Sequence, residues 1–537
     1  MSTGDELTRL GAAAIARGVA AGDLSAREVC DAFVARMEEV GALAGGRLNS
    51  VVVPLFDSAR HAADAVDDAR RRGEPLGPLG GVPLTIKECF DIAGTPSTMG
   101  LTLLREKLAT RDAVLVERLR RAGGVILAKS NVPQLMLWHE CDNPLYGRTN
   151  NPWNTARSPG GSSGGEAATI AAGASPLGLG SDLGGSIRVP CHVCGIHGLK
   201  PTSGRLTRTG TVENLRGMQA ILFQPGPMAR HVEDLSLALR VLGGNEPADA
   251  VYDEAPIALG EPGAVEIEKL RVAVWDDDGY FRASPTARRV VREAADALRA
   301  SGATVKQFDP PDAALALELF LAIVSSDGGS DGRRLVRGSE LDRRLWQLLF
   351  LPSLWRPIRW AMATAFDLAG ERRQARLLRE ARRRSAPAYW KATHRLRQFV
   401  GGFMKRLADE RIDAIVCPPY ALPAVLHNTA HELVPAASYA ILFNVLGLPS
   451  GVVAAGRVQP GEESDRPEKG DRMERLSRRI EQGSAGLPMG VHVAAAPWRE
   501  DIVLAVMGAL EEAFRRKSDY PAEPPQPAIR EATQSTA

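Results

Sequence analysis

Cysteine is scarce and irregularly placed in this chain: six among 537 residues, at positions 30, 89, 141, 191, 194 and 417. That spacing excludes the disulfide framework of a small secreted domain and points to a reducing compartment. A surplus of one charge sign is also missing, because Lys+Arg 66 against Asp+Glu 64 leaves a formal charge of +2. No general field attracts nucleic acid, so none is expected as a partner. No apolar run approaches the roughly 18 residues needed to cross a bilayer. The opening residues Met1-Ser2-Thr3-Gly4-Asp5-Glu6 are acidic and lack the basic and apolar regions of a signal peptide, so the expected location is cytoplasmic.

With 44% hydrophobic and 24% charged residues, the composition is that of a globular protein with a sizeable buried core. Near the N-terminus, Asp23 and Ser25 are candidate helix caps, and Val29, Ala32, Phe33 and Met37 recur at helical spacing. From about Gly77 the pattern changes to short apolar runs between glycines and prolines, such as Val82 to Ile86 and Gly124 to Ala128. These read as buried strands. Helical segments at Val114 to Arg121 and Glu166 to Ala172 alternate with them, which predicts an α/β fold.

Two serines 24 residues apart each lie in a glycine cluster: Gly160-Gly161-Ser162-Ser163-Gly164-Gly165 and Asp182-Leu183-Gly184-Gly185-Ser186-Ile187-Arg188. Glycine is poor in helix and strand interiors, so such clusters around hydroxyls suggest backbone brought close to a reacting group. A serine nucleophile needs a base. None of the nine histidines shares a local motif with a serine and an acid. Lys87 ends the apolar run Val82-Pro83-Leu84-Thr85-Ile86, where burial would lower its pKa enough for a base; the other reading is an interior ion pair with Glu88 or Asp91. Gly160 to Gly164 also fits the G-x-S-x-G elbow of α/β-hydrolases, which would make Ser162 the nucleophile but leave Lys87 and the second cluster unexplained. Cys191-His192-Val193-Cys194, near His197, lacks a second ligand pair for zinc and reads as buried structure.

In order and spacing, Lys87 and the two clusters resemble the Ser-cisSer-Lys signature of the amidase signature family. Five segments resemble fatty acid amide hydrolases within it: Lys87 to Phe90, Ser175 to Gly180, Gly195 to Thr202, Gly226 to Arg230, and Ala496-Pro497-Trp498. The resemblance implies a large mixed central β-sheet covered by helices on both faces. It also implies Ser186 as nucleophile, Ser162 as a proton relay in a cis peptide, and Lys87 as base. The amides of Leu183, Gly184, Gly185 and Ser186 would form the oxyanion hole, with no metal or other cofactor. Asp182 and Arg188 are expected to pin the nucleophile loop. Met136 matches a substrate-contacting methionine, whereas Trp138 and His139 depart from the family pattern.

The expected organisation is one catalytic domain over residues 1–520, with its signature core at about 77–245, and a disordered proline-rich tail at 521–537. Residues 313–384 match the position of a membrane-binding cap: an apolar helix from Ala313 to Val324, then Trp346, Trp355 and Trp360 among arginines, then an arginine-rich run. Residues 457–480 are expected to be an exposed charged excursion. The implied activity is hydrolysis of fatty acid amides or similar lipophilic amides by a homodimer in peripheral contact with membrane. The alternatives are an amidase for small or aryl amides, the amidase subunit of a transamidosome, and a non-catalytic lipid-binding protein.

Overall fold

A computed structural model describes residues 4–213, 215–243 and 254–525. Its strands are β1 (Val51–Pro54), β2 (Pro83–Lys87), β3 (Val125–Ser130), β4 (Asp142–Asn143), β5 (Gly147–Arg148), β6 (Leu177–Asp182), β7 (His197–Lys200), β8 (Gln224–Ala229), β9 (Arg271–Val274), β10 (Thr304–Gln307), β11 (Ala414–Cys417), β12 (Ser450–Arg457) and β13 (Pro488–Ala495). Eleven of them build one sheet in the order β1-β3-β2-β6-β8-β7-β12-β13-β11-β9-β10, while β4 and β5 pair separately. The sheet is mixed: β2 runs parallel to β3 and β6, whereas β8 runs antiparallel to β6 and β7. Every residue of β2, β3 and β6 is buried. A strand covered on both faces needs apolar side chains on both, and this is why these segments read as continuous apolar runs.

Helices cover the sheet as the sequence periodicity requires. Ala26–Glu39 begins at Ser25, whose hydroxyl accepts from the Glu28 amide, and it buries Val29, Phe33 and Met37. Asp23 plays no part in that cap. Val114–Arg121 packs where the pattern places it, and the expected helix at 166–172 starts two residues earlier, as Gly164–Ala171. The tail expectation falls largely on residues 526–537, outside the described residues, whereas Pro521 and Pro524 are buried.

Residues 313–384 form the helices Ala313–Val324, Ser330–Leu335, Leu345–Phe350, Arg356–Leu368 and Arg372–Glu380. Met99, Leu101, Leu135, Trp138, Val336, Leu345 and Leu349 make a second apolar cluster, distinct from the main core, that joins this cap to the chain around Met136.

The 457–480 segment differs from the expected exposed excursion. Its helix Arg472–Glu481 buries Met473, Leu476 and Ile480. The Arg466 side chain is wholly buried between Glu474 (2.6 Å) and Glu481 (2.8 Å). Arg373 of the cap pairs with Asp471 and Glu474 at 2.9 Å, and the Arg472 amide donates to Glu371. The segment is therefore a buttress under the cap. Its charges read as solvated because composition does not show that they pair with one another.

Candidate active site

Because β2 and β6 are adjacent and parallel, their carboxyl ends open on the same edge of the sheet, where the loops of an α/β fold can converge. Lys87 is the last residue of β2, and the nucleophile-loop candidate leaves β6 after Asp182. The pairing of Ile86 with Leu179 brings Lys87 level with Gly180, two residues before the end of β6. Lys87 Nζ lies 2.9 Å from Ser181 Oγ and 2.7 Å from Ser162 Oγ, and it donates to the Ser181 carbonyl at 3.3 Å. The Gly161–Ser162 peptide is cis. The Ser163 amide donates to the Ser186 carbonyl at 3.0 Å, tying the two serine loops together. Lys87, Ser162 and Ser186 are all buried.

The electrostatics match this arrangement. Burial drives the Lys87 pKa below its usual 10.5, because a charged ammonium has lost its water there. Glu88, one of the two partners in the alternative ion-pair reading, faces elsewhere: its carboxylate accepts from Thr98 N, Thr98 Oγ1 and Met99 N. One turn into the helix after Ser162, burial pushes the Glu166 carboxyl up to about 7 against the opposing effect of the Thr85 hydroxyl, 2.6 Å away.

Asp182 and Arg188 pair at 2.9 Å with both side chains fully buried. The Asp182 carboxylate also accepts from the amides of Gly185 (2.8 Å) and Ile187 (3.1 Å) and from Asn444 Nδ2 (2.9 Å). Burial alone would raise its pKa, but Arg188 and Asn444 reverse this and hold it well below the usual carboxylate range. The Gly185 amide, expected among the oxyanion donors, is thus committed to Asp182. Among the described residues, the amides of Leu183, Gly184 and Ser186 have no such internal acceptor.

The serine loops require glycine at two positions. A Cβ on Gly161 would stand 2.2 Å from the Glu140 carbonyl oxygen, and Gly185 has φ +108°. Met136 is partly buried, and with Leu135 it occupies the left-handed region (φ 56° and 57°), a strained conformation for two successive non-glycine residues. Sequence reasoning missed Phe320 and Asn444. Phe320 comes from the cap helix Ala313–Val324, and its ring edge would be 3.3 Å from a Cβ on Gly184. No local signal could place it there. In the cysteine-histidine segment, His192 accepts from the Gly490 amide and faces the Leu422 carbonyl.

The model of the family described as Amidase matches residues 28–504. The chain belongs to the amidase family. It is an amide-hydrolysing enzyme by that membership. This amidase is similar to fatty-acid amide hydrolase 1 of Sus scrofa, at 36% identity over 81% of the chain and 76% of the relative. It is also similar to 1-carboxybiuret hydrolase subunit AtzE of Pseudomonas sp. (strain ADP), at 32% identity over 93% of the chain and 97% of the relative. Among solved structures it matches a fatty acid amide hydrolase with a TM-score of 0.83 and 26% identity, covering 96% of this chain and 86% of that one. The mixed sheet flanked by helices is the fold those structures share.

Proposed function

We propose that this amidase hydrolyses fatty acid amides or related lipophilic amides through an acyl-enzyme on Ser186, with Ser162 as relay and Lys87 as base. The carrying observation is the 2.7 Å contact between a wholly buried Lys87 Nζ and Ser162 Oγ. A neutral amine has two N–H donors and one lone pair. Ser181 takes the donors through its carbonyl and hydroxyl, and this leaves the lone pair for the Ser162 proton.

In the first step Lys87 takes the Ser162 proton, Ser162 takes that of Ser186, and Ser186 Oγ attacks the amide carbonyl. The tetrahedral oxyanion faces the amides of Leu183, Gly184 and Ser186, where each well-placed donor contributes about 3 to 4 kcal/mol. The proton then returns through Ser162 to the leaving nitrogen, since an unprotonated amide nitrogen departs poorly. Water hydrolyses the ester by the same relay, and no cofactor enters any step.

The lipophilic substrate class is supported by the apolar cluster that joins Met136 to the cap, and by Phe320 beside the nucleophile loop. The cap also carries Trp355 (71% exposed), Trp360 (65%) and Leu368 (86%), which suit a lipid interface from which such substrates enter. A homodimer is part of the same reading, on family grounds alone.

The test is free acid released from a panel running from acetamide to oleamide and N-acylethanolamines, alongside fluorophosphonate labelling. The expected result is preference for the long members and a label on Ser186 that Ser186→Ala abolishes together with turnover. Preference for acetamide would overturn the lipid assignment and favour a small-amide amidase, while an unlabelled Ser186 would remove it as the nucleophile.

A further inference from the structure

His139, which departs from the family pattern, meets the nucleophile loop directly. Its Nε2 lies 2.9 Å from the carbonyl oxygen of Gly184. A carbonyl oxygen only accepts, so Nε2 carries the hydrogen. Burial lowers the pKa of this ring, which favours the neutral donor. The other end of the same peptide unit is also held, because the Gly185 amide donates to Asp182.

A peptide unit is planar and rigid, so fixing its C=O and its N–H fixes its rotation. The unit lies between two glycines, where backbone freedom is greatest and no side chain would otherwise restrain it. Its orientation sets the direction of the flanking Gly184 and Ser186 amides, two of the three donors that face the oxyanion. The segment bearing His139 also bears on the other serine loop: a Cβ on Gly161 would stand 2.6 Å from the Trp138 carbonyl oxygen and 2.2 Å from that of Glu140. Glu140 is itself anchored by the amides of Asn428 (2.7 Å) and Ala430 (2.8 Å).

We propose that His139 is a positioning residue, which clamps the Gly184–Gly185 peptide from outside the nucleophile loop and thereby aims the oxyanion donors while its segment holds the relay loop in register. This inference rests on Ser186 being the nucleophile. Should wild-type Ser186 take no fluorophosphonate label, that reading fails regardless of His139.

The experiment compares kcat and KM of the wild type, His139→Phe and His139→Gln on one amide. Phe keeps the ring and removes the donor, whereas the Gln amide can place an N–H near the position of Nε2. The expected result is a loss of about tenfold to hundredfold in kcat for His139→Phe. KM should stay within about twofold, because the donors act on the transition state, and Gln should recover most of the loss. Unchanged kcat in the Phe variant, or equal losses in both variants, would overturn the proposal. A second readout survives a folding failure of the Phe variant: the 15N spectrum of histidine-labelled wild type, with His139 assigned by its absence in His139→Gln. An Nε2–H tautomer supports the clamp, and an Nδ1–H tautomer refutes it.

Discussion

At the residue scale, the proposed mechanism depends on Lys87, whose pKa burial lowers from the usual 10.5. In that proposal the neutral amine is the base, so acylation should rise with pH through the folded-state pKa of Lys87, with a midpoint below the usual 10.5. Stopped-flow or steady-state kcat/KM profiles would show this limb in the wild type and its absence in Lys87→Ala. The same variant should lose much more activity on an amide than on a matched ester, whose leaving group needs no proton; equal losses would remove Lys87 from the proton path. Phe320→Ala tests the acyl side. Losing an apolar wall typically costs about 1 to 3 kcal/mol, so kcat/KM for a long-chain amide should fall about tenfold or more while acetamide is unaffected. Lys87, Ser162 and Ser186 could be singled out from the sequence, because each stands inside its own local signature. Asn444 was not: its contact with Asp182 spans 262 residues, and an asparagine in an apolar helix has no signature of its own.

At the element scale, the proposed reacting groups meet because two neighbouring strands run in the same direction. Parallel β2 and β6 bring Lys87 and the loop bearing Ser186 to one edge, and Ser162, two residues before the fully buried helix Gly164–Ala171, reaches Lys87 there. The strands were legible as apolar runs because both faces are covered. The buttress at 457–480 was not, since an arginine surrounded by glutamates has the same composition whether the charges are solvated or paired. The Arg466 site offers a direct check. Arg466→Met would strand the Glu481 side chain, itself fully buried, without its cation. Breaking one half of a buried pair costs about 3 to 5 kcal/mol. Hydrogen exchange should therefore accelerate in Arg472–Glu481 and, through Arg373, in the cap helix Arg372–Glu380. Unchanged protection in both helices would mean that the buttress carries no load.

At the scale of the whole molecule, most of the exposed large apolar side chains among the described residues fall between 346 and 390: Trp346, Trp355, Ile358, Trp360, Phe366, Leu368 and Trp390 (70% exposed), the last on the long helix Ala386–Asp409. A net charge of +2 supplies little general attraction to an anionic surface, so any membrane affinity must come from the exposed rings and arginines of this stretch of sequence. Replacing Trp355, Trp360 and Trp390 with serine should abolish co-sedimentation with anionic liposomes and leave hydrolysis of a short soluble amide near wild type. If the wild-type protein fails to bind liposomes of any charge at low salt, the membrane role is wrong. All six cysteines are free and buried, and burial pushes the thiols of Cys30 and Cys89 up to about 11 and that of Cys141 to about 12. The native surface is therefore blank to maleimide. Trp355→Cys alone would accept a spin label or fluorophore, and the folded enzyme could report how deeply its cap enters a bilayer without the removal of any native thiol.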